Sequence, residues 1–216
     1  MKKVYSILLG AALMLVGSQA YAQLAVGAGY LNSTDKSIAK GGGDTDTDKM
    51  SLDGFYAGAT YDIDLSSITD GLSFEPGAFA NFGFHKNDND VKFRDIALQI
   101  PLNFKYTYEL DGDLNVFGLF GPALQLGLIK KSSYENAGTT TTVDFYDGDG
   151  ADYNRFNVLL GIGAGIEFGG KFQIRVGYDF GLTNFAKDEV DVLGNTVTVT
   201  DKRSGQFKFG VAYVLF

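Results

Sequence analysis

The 216-residue sequence contains no cysteine and no tryptophan, a single histidine and only three prolines. Without cysteine there is no disulfide framework, no thiolate zinc site, no cysteine nucleophile and no lipid anchor on an N-terminal cysteine. Basic residues are outnumbered 18 to 26, for a net charge of −8. No nucleic-acid partner is therefore expected, because phosphate recognition needs a basic footprint. Beyond residue 22 no stretch approaches 18 consecutive apolar residues, so no transmembrane helix is predicted. What is abundant is glycine (29 residues) and aromatic side chain (18 Phe and 12 Tyr), yet the mean hydropathy is zero. The glycines follow no G-X-Y period, which excludes collagen, and a 45% hydrophobic content is too rich for disorder. The length fits one domain, or at most two.

The first 22 residues read as a targeting signal. Lys2 and Lys3 precede an apolar stretch from Val4 to Val16, and Ala20-Tyr21-Ala22 forms an A-x-A cleavage site. The apolar part is shorter than the ~20 residues that a membrane-spanning helix needs. The mature chain is expected to run from 23 to 216. Losing two lysines leaves 16 bases against 26 acids, a mature charge of −10.

The dominant period in that chain is two. From Arg94 to Tyr108 one face carries Ile96, Leu98, Ile100, Leu102, Phe104, Tyr106 and Tyr108, while the other carries Asp95, Gln99, Asn103, Lys105 and Thr107. Lys171 to Thr183 repeats the pattern, with Phe172, Ile174, Val176, Tyr178 and Phe180 opposite Lys171, Gln173, Arg175, Gly177 and Asp179. Ordinary strands average five or six residues, whereas a strand tilted through a bilayer needs ~9–11 in the hydrocarbon. The same alternation marks eight segments at 23–32, 52–63, 72–86, 92–108, 114–130, 156–168, 171–185 and 205–216. Leu31, Phe117 and Leu119 interrupt it by falling on the polar face.

The connections alternate in length. Those at Asp64–Gly71, Glu109–Asp113 and Gly169-Gly170 are short; those at Ser33–Met50, Lys131–Arg155 and Ala186–Ser204 are long and polar, and only Asn87–Val91 is short on that side. Short turns at one end and long loops at the other are the asymmetry of an outer-membrane barrel, with both termini in the periplasm. An open sheet edge is excluded in lipid, so the ring must close. The predicted fold is all-β, a closed antiparallel eight-stranded up-and-down transmembrane β-barrel.

An eight-stranded barrel encloses little more than its own side chains. The inward glycines Gly27, Gly29, Gly58, Gly77, Gly161, Gly163 and Gly165 make room for Tyr56 and Phe79. Inward acids Asp62, Glu75, Glu167 and Asp179 balance inward bases Lys105, Lys171, Arg175 and Lys208, most of them toward the periplasmic half. Such a set is either a paired structural plug, the reading the narrow lumen favours, or an ion-selective constriction. Outward aromatics near the periplasmic strand ends (Tyr61, Phe74, Tyr106, Tyr108, Phe168 and Phe172) suit a membrane-interface girdle.

Catalytic and metal signals are poor, and no cofactor or metal is expected. His85 could serve a lipid-hydrolysing barrel, but no serine lies near it in sequence. Gly161-Ile162-Gly163-Ala164-Gly165 is not a dinucleotide fingerprint and opens no helix. The runs Asp44–Asp48 and Asp147–Asp152 lack the glycine, glutamate or ligand positions of an EF-hand. They read as solvated acidic loops, with divalent-cation bridging to lipopolysaccharide left open.

Leu98–Tyr106, Gly118–Pro122, Gly161–Glu167, Tyr178–Asn184 and the terminal Phe216 resemble the small OmpA/OmpX-like outer-membrane β-barrels, the porin-family group with an outer membrane protein beta-barrel domain. The resemblance spans the mature chain. It implies insertion by the outer-membrane assembly machinery through a C-terminal aromatic, here Phe216, which is out of step with Tyr213 and Leu215. With no peptidoglycan-binding domain following the barrel, the anchoring role of full-length OmpA proteins is not expected. The expected protein is a monomer among outer-membrane lipids and lipopolysaccharide. Its role is structural or surface-interacting, through the loops at 33–50, 131–155 and 186–204 and an unidentified extracellular partner. A narrow channel for solutes or ions is the alternative, and a lipid-modifying enzyme at His85 a remote one.

Overall fold

A computed structural model describes residues 22–41, 44–86, 91–110, 112–136, 139–147, 153–192 and 195–216. The predicted signal lies outside the described residues except for Ala22. Ten strands follow in order: β1 (Ala22–Gly41), β2 (Asp44–Asp64), β3 (Leu72–Lys86), β4 (Lys92–Glu109), β5 (Leu114–Asn136), β6 (Thr139–Asp144), β7 (Phe156–Phe168), β8 (Phe172–Gly181), β9 (Asn184–Val192) and β10 (Asn195–Val214). Antiparallel pairing runs β1-β2-β3-β4-β5-β7-β8-β10, and β1 pairs β10 from Ala25↔Val214 to Lys40↔Thr198, closing a ring of eight. β6 pairs only β5 and β9 only β10, above the ring.

The period-two pattern dictates this ring directly. Val26, Tyr30, Phe55, Phe104, Phe120, Ile162, Val176, Phe209 and Val211 are all exposed on its outer wall. A soluble protein rarely exposes a patch of that extent; a lipid solvent requires it. Their alternate neighbours face inward and are buried or half-buried. The periplasmic turns use glycine where the backbone is left-handed. Gly169 and Gly170, at φ 58° and 63°, make the tight β7–β8 reversal.

Several boundaries differ from the sequence reading. The segments 72–86 and 156–168 coincide with β3 and β7, but β1, β2, β5 and β10 run well past their predicted outer ends. The predicted loops at 33–50 and 186–204 are mostly strand, and 131–155 begins as the β5–β6 hairpin. Asp44–Asp48 is accordingly the first turnless stretch of β2, not an acidic loop. These extensions stand above the bilayer and carry polar residues on both faces, so no hydrophobic alternation announced them. The segment 171–185 breaks at Leu182 and Thr183, after which β9 begins. There Val158 N–H donates to Thr183 Oγ1 at 3.0 Å, and Thr183 donates to Asn157 Oδ1 at 2.5 Å.

The three residues that broke the alternation are inside. Leu31 and Phe117 are 1% and 4% exposed, and Leu119 lines a lumen cavity. A Cβ on Gly165 would lie 2.3 Å from Phe117 Cζ, so glycine on β7 is what admits the phenylalanine from β5.

Candidate functional site

The lumen gathers charge in layers. At its periplasmic end, β2, β3, β4 and β8 bring Asp62, Glu75, Lys105 and Arg175 together. Arg175 makes a two-pronged contact with Glu75, Nη1 to Oε1 at 2.7 Å and Nη2 to Oε2 at 2.8 Å. Lys105 Nζ donates to Asp62 Oδ2 at 2.5 Å and lies 3.9 Å from Glu75. Lys105 and Arg175 both sit over the Phe117 ring, at 4.9 and 5.3 Å. Glu167 is buried and is held by amides, accepting from Gln173 Nε2 at 2.6 Å and Asn115 Nδ2 at 3.2 Å. Fork-to-fork geometry at Arg175–Glu75 and the Lys105–Asp62 contact are what make buried charge tolerable at this depth, although Asp62 Oδ1 is left without a hydrogen-bond partner among the described residues.

A second layer lies at mid-height. Lys208 contacts Asp179 at 2.8 Å and donates to Gln99 Oε1 at 2.8 Å. Gln99 donates to Asp179 at 2.9 Å and accepts from Asn81 at 2.8 Å. Beside it, between Tyr56, Phe79, Asn103, Leu119 and Gly163, is a cavity of about 90 Å³. Tyr56 and Phe79 meet edge to face at 5.6 Å.

The third layer, at the extracellular end, was not anticipated. Arg203 is 2% exposed; its Nε donates to Asp35 at 2.9 Å, its Nη1 to Gln125 Oε1 at 3.1 Å, and its Nη2 to Asp95. Lys130 also contacts Asp35 and stands 3.6 Å from Asp95. Burial alone would raise the Asp35 carboxyl, but the charges of Arg203 and Lys130 outweigh it and hold it at about 2. Gln206, fully buried, links Gln125 to Ser33 just below. Together with Leu31, Leu52 and Leu159, each at most 1% exposed, these side chains occupy the lumen and leave a void of only about 10 Å³ between Leu31, Leu52, Arg203 and Gln206. Asp35 and Arg203 escaped the sequence reading because they fell in segments assigned to loops. Asp95 fell on a predicted polar face and carried no further signal, whereas Lys130 is in phase with the outward Leu124 and Leu128 and is turned inward by the register shift opposite Ile96 and Ala97.

Above that layer is a mouth cavity of about 300 Å³, walled by Phe93, Phe145, Tyr153 and Phe185. Backbone bonds hold its rim: Phe145 N–H donates to Lys130 O at 2.9 Å, and Asn154 N–H to Phe185 O at 2.7 Å. Tyr146 packs onto Gly127, where a Cβ would meet its hydroxyl at 1.9 Å. Burial, and then the charge of Asp95, push the Tyr146 hydroxyl well above its ordinary range.

The structure thus assembles seven of the eight predicted lumen charges: Asp62, Glu75, Lys105, Glu167, Arg175, Asp179 and Lys208. Lys171 does not join them. It is exposed in the β7–β8 turn, because the strand restarts only at Phe172. Among the predicted interface aromatics, Tyr106, Tyr108, Phe168 and Phe172 are exposed and Phe74 is half-buried. Tyr61 shares their face but is only 8% exposed, so it is a packed residue and not an open part of a girdle. Phe216 lies beyond the end of β10 and is 71% exposed, with its carbonyl accepting from Leu24 N–H at 3.0 Å. His85 packs against Phe93 with ring centroids 5.9 Å apart and has no hydrogen-bonded serine among the described residues.

Among curated protein sequences there is no significant match. Solved outer-membrane proteins align with the chain at low identity. Neisserial surface protein A is 15% identical, with 90% of this chain and 99% of that one covered at a TM-score of 0.41. OprG from Pseudomonas aeruginosa is 12% identical (92% and 98% covered, TM-score 0.46), and the outer membrane enzyme PagL is 15% identical (84% and 97%, TM-score 0.44). Residues 19–187 match the family model described as outer membrane protein beta-barrel domain. With that match over most of its length, and a ring of eight lipid-facing strands behind it, the chain belongs to the outer membrane protein beta-barrel domain family and resides in the outer membrane.

Proposed function

We propose that this protein is a non-enzymatic, plugged barrel that acts at the cell surface through its three extracellular hairpins, not a channel through its lumen. The observation that supports this reading is the third layer. Arg203, Gln206, Leu31, Leu52 and Leu159 are at most 2% exposed, stacked over successive rows between the mouth cavity and the mid-lumen cavity. A hydrated ion has no room to pass side chains buried that completely in an eight-stranded ring. The hairpins, in contrast, extend beyond the membrane as paired strands and present a surface to the outside.

Single-channel recording on the refolded protein tests the reading. No stable discrete conductance is expected for the native chain. A reproducible unitary conductance at neutral pH sinks the plugged barrel and supports the narrow channel.

A further inference from the structure

The β2–β1–β10 extension sorts its charges onto opposite faces. Asp35 points into the lumen to reach Arg203, so Lys36 beside it points outward. Lys49 and Lys202 lie directly opposite Lys36 on its two sides, and therefore share its face. Two rows farther out, Lys40 on the same face lies between Thr45 and Thr198, and the row between holds Thr47, Ile38 and Thr200. The row below Lys36 holds Ser51 and Thr34. The one acid of these three strands on this outer face, Asp53, lies two rows below Lys36 and is taken up by Tyr30 and Asn32, whose amide donates to it at 2.8 Å. Asp44, Asp46, Asp48 and Asp201, in contrast, fall on the alternate positions that face the mouth. In a chain with a net charge of −8, this leaves an outward patch of four lysines.

The patch is uncompensated among the described residues. None of the four lysines has an ion-pair partner among the described residues. Like charges directly across strands are destabilising, and Lys36 faces one on each side. An external anion would relieve this cost. The face is also continuous with the lipid-facing wall below, where Tyr30, Phe55 and Phe207 are exposed on the same strands. Lys36 is six residues above Tyr30, roughly 14 Å higher for a strand tilted near 45° and rising ~3.3 Å per residue. That is the height of sugars attached to an outer-leaflet lipid, above its acyl chains.

We infer that the Lys36–Lys40–Lys49–Lys202 face binds the phosphorylated saccharide of a neighbouring outer-leaflet glycolipid. The lysines take the phosphates, and the flanking threonine and serine hydroxyls hydrogen-bond the sugars. A laterally adjacent lipid fits better than a soluble polyanion because the face looks sideways over the bilayer. The inference rests on the membrane placement and is independent of whether the lumen conducts.

The test is co-isolation of glycolipid with the barrel from phosphatidylcholine nanodiscs. The discs are doped with lipopolysaccharide carrying a phosphorylated core, or with the same material after dephosphorylation. The native chain should enrich the phosphorylated form, and added salt should weaken the enrichment. Each Lys→Gln change should lower it roughly three- to fivefold, with the quadruple variant abolishing it. Lys36→Gln alone serves if the quadruple variant fails to fold. Equal retention of both lipids, or unchanged retention in Lys36→Gln, overturns the proposal. So does selective binding of a soluble sulfated polysaccharide with no glycolipid enrichment.

Discussion

Replacing Arg175 with methionine keeps most of the side chain's stem against Phe117 but removes the guanidinium that grips Glu75. Glu75 is 1% exposed, and its other cation, Lys105, is 3.9 Å away and already engaged by Asp62 at 2.5 Å. Lys105 therefore cannot serve both carboxylates at hydrogen-bonding distance. A buried charge stripped of its partner costs about 3–5 kcal/mol, whereas removing both partners of a buried pair is often close to neutral. Arg175→Met should thus lose about 3–5 kcal/mol of unfolding free energy, and adding Glu75→Gln should recover about 2 kcal/mol or more. Urea unfolding of the protein in lipid vesicles measures both. The readout is the fluorescence of the mature chain's tyrosines (the 12 of the sequence less Tyr5 and Tyr21 of the signal), undisturbed by tryptophan, which is absent. A single variant within about 1 kcal/mol of the native chain, or a double variant no better than the single, refutes the paired-plug account of this layer.

Three further predictions follow from the same interior. Asp35 has a folded pKa of about 2 against an ordinary value of 3.8, so its contribution is present above pH 4 and is lost as pH falls from about 4 to 2. Thermal unfolding across that window should show a loss on the order of 2 kcal/mol that Asp35→Asn no longer displays; an unchanged acid profile in the variant counts against the Asp35–Arg203–Lys130 cluster. Gly165→Ala should cost about 1–3 kcal/mol, since its Cβ would meet Phe117 and, at 2.5 Å, the Ile174 carbonyl. Gly118→Ala, whose Cβ meets nothing within 4 Å, should stay within about 0.5 kcal/mol in the same urea titration. Deleting residues 38–46 should leave the barrel folded, as judged by its heat-dependent gel mobility, because no residue of the lower two ion layers lies there.

The ring of eight was legible because lipid imposes a strict rule. An outward apolar residue at every second position leaves a signal seven deep on β4, from Ile96 to Tyr108. The same rule identified Asp62, Glu75, Lys105, Arg175, Asp179 and Lys208 as lumen charges, since polar residues in a lipid-bounded strand have only one face to occupy. The rule stops where the membrane stops. Above Asn32 and Asp53 both faces of β1 and β2 carry polar residues, and Asp-Thr-Asp-Thr-Asp looks like a loop although it is a strand. Asp35 and Arg203 were lost with it. Lys171 failed for the opposite reason: its spacing matches the inward set, but the left-handed Gly169-Gly170 reversal delays the strand by one residue.

The seam between β1 and β10 joins the two ends of the chain, so it carries the largest loop-closure entropy of any pairing and is expected to zip last. Its membrane portion is a poor guide to alignment. Gly27, Gly29 and Gly210 meet there, and glycine-rich strands specify register weakly. Two side-chain links bridge this seam: Gln206 Nε2 to Ser33 Oγ at 3.1 Å, and Arg203 to Asp35 at 2.9 Å. A closure slipped by two residues would keep every outward face in lipid but would break both links and strand a buried arginine. The uppermost ion cluster is thus a proofreader of assembly, penalising barrels that close out of step.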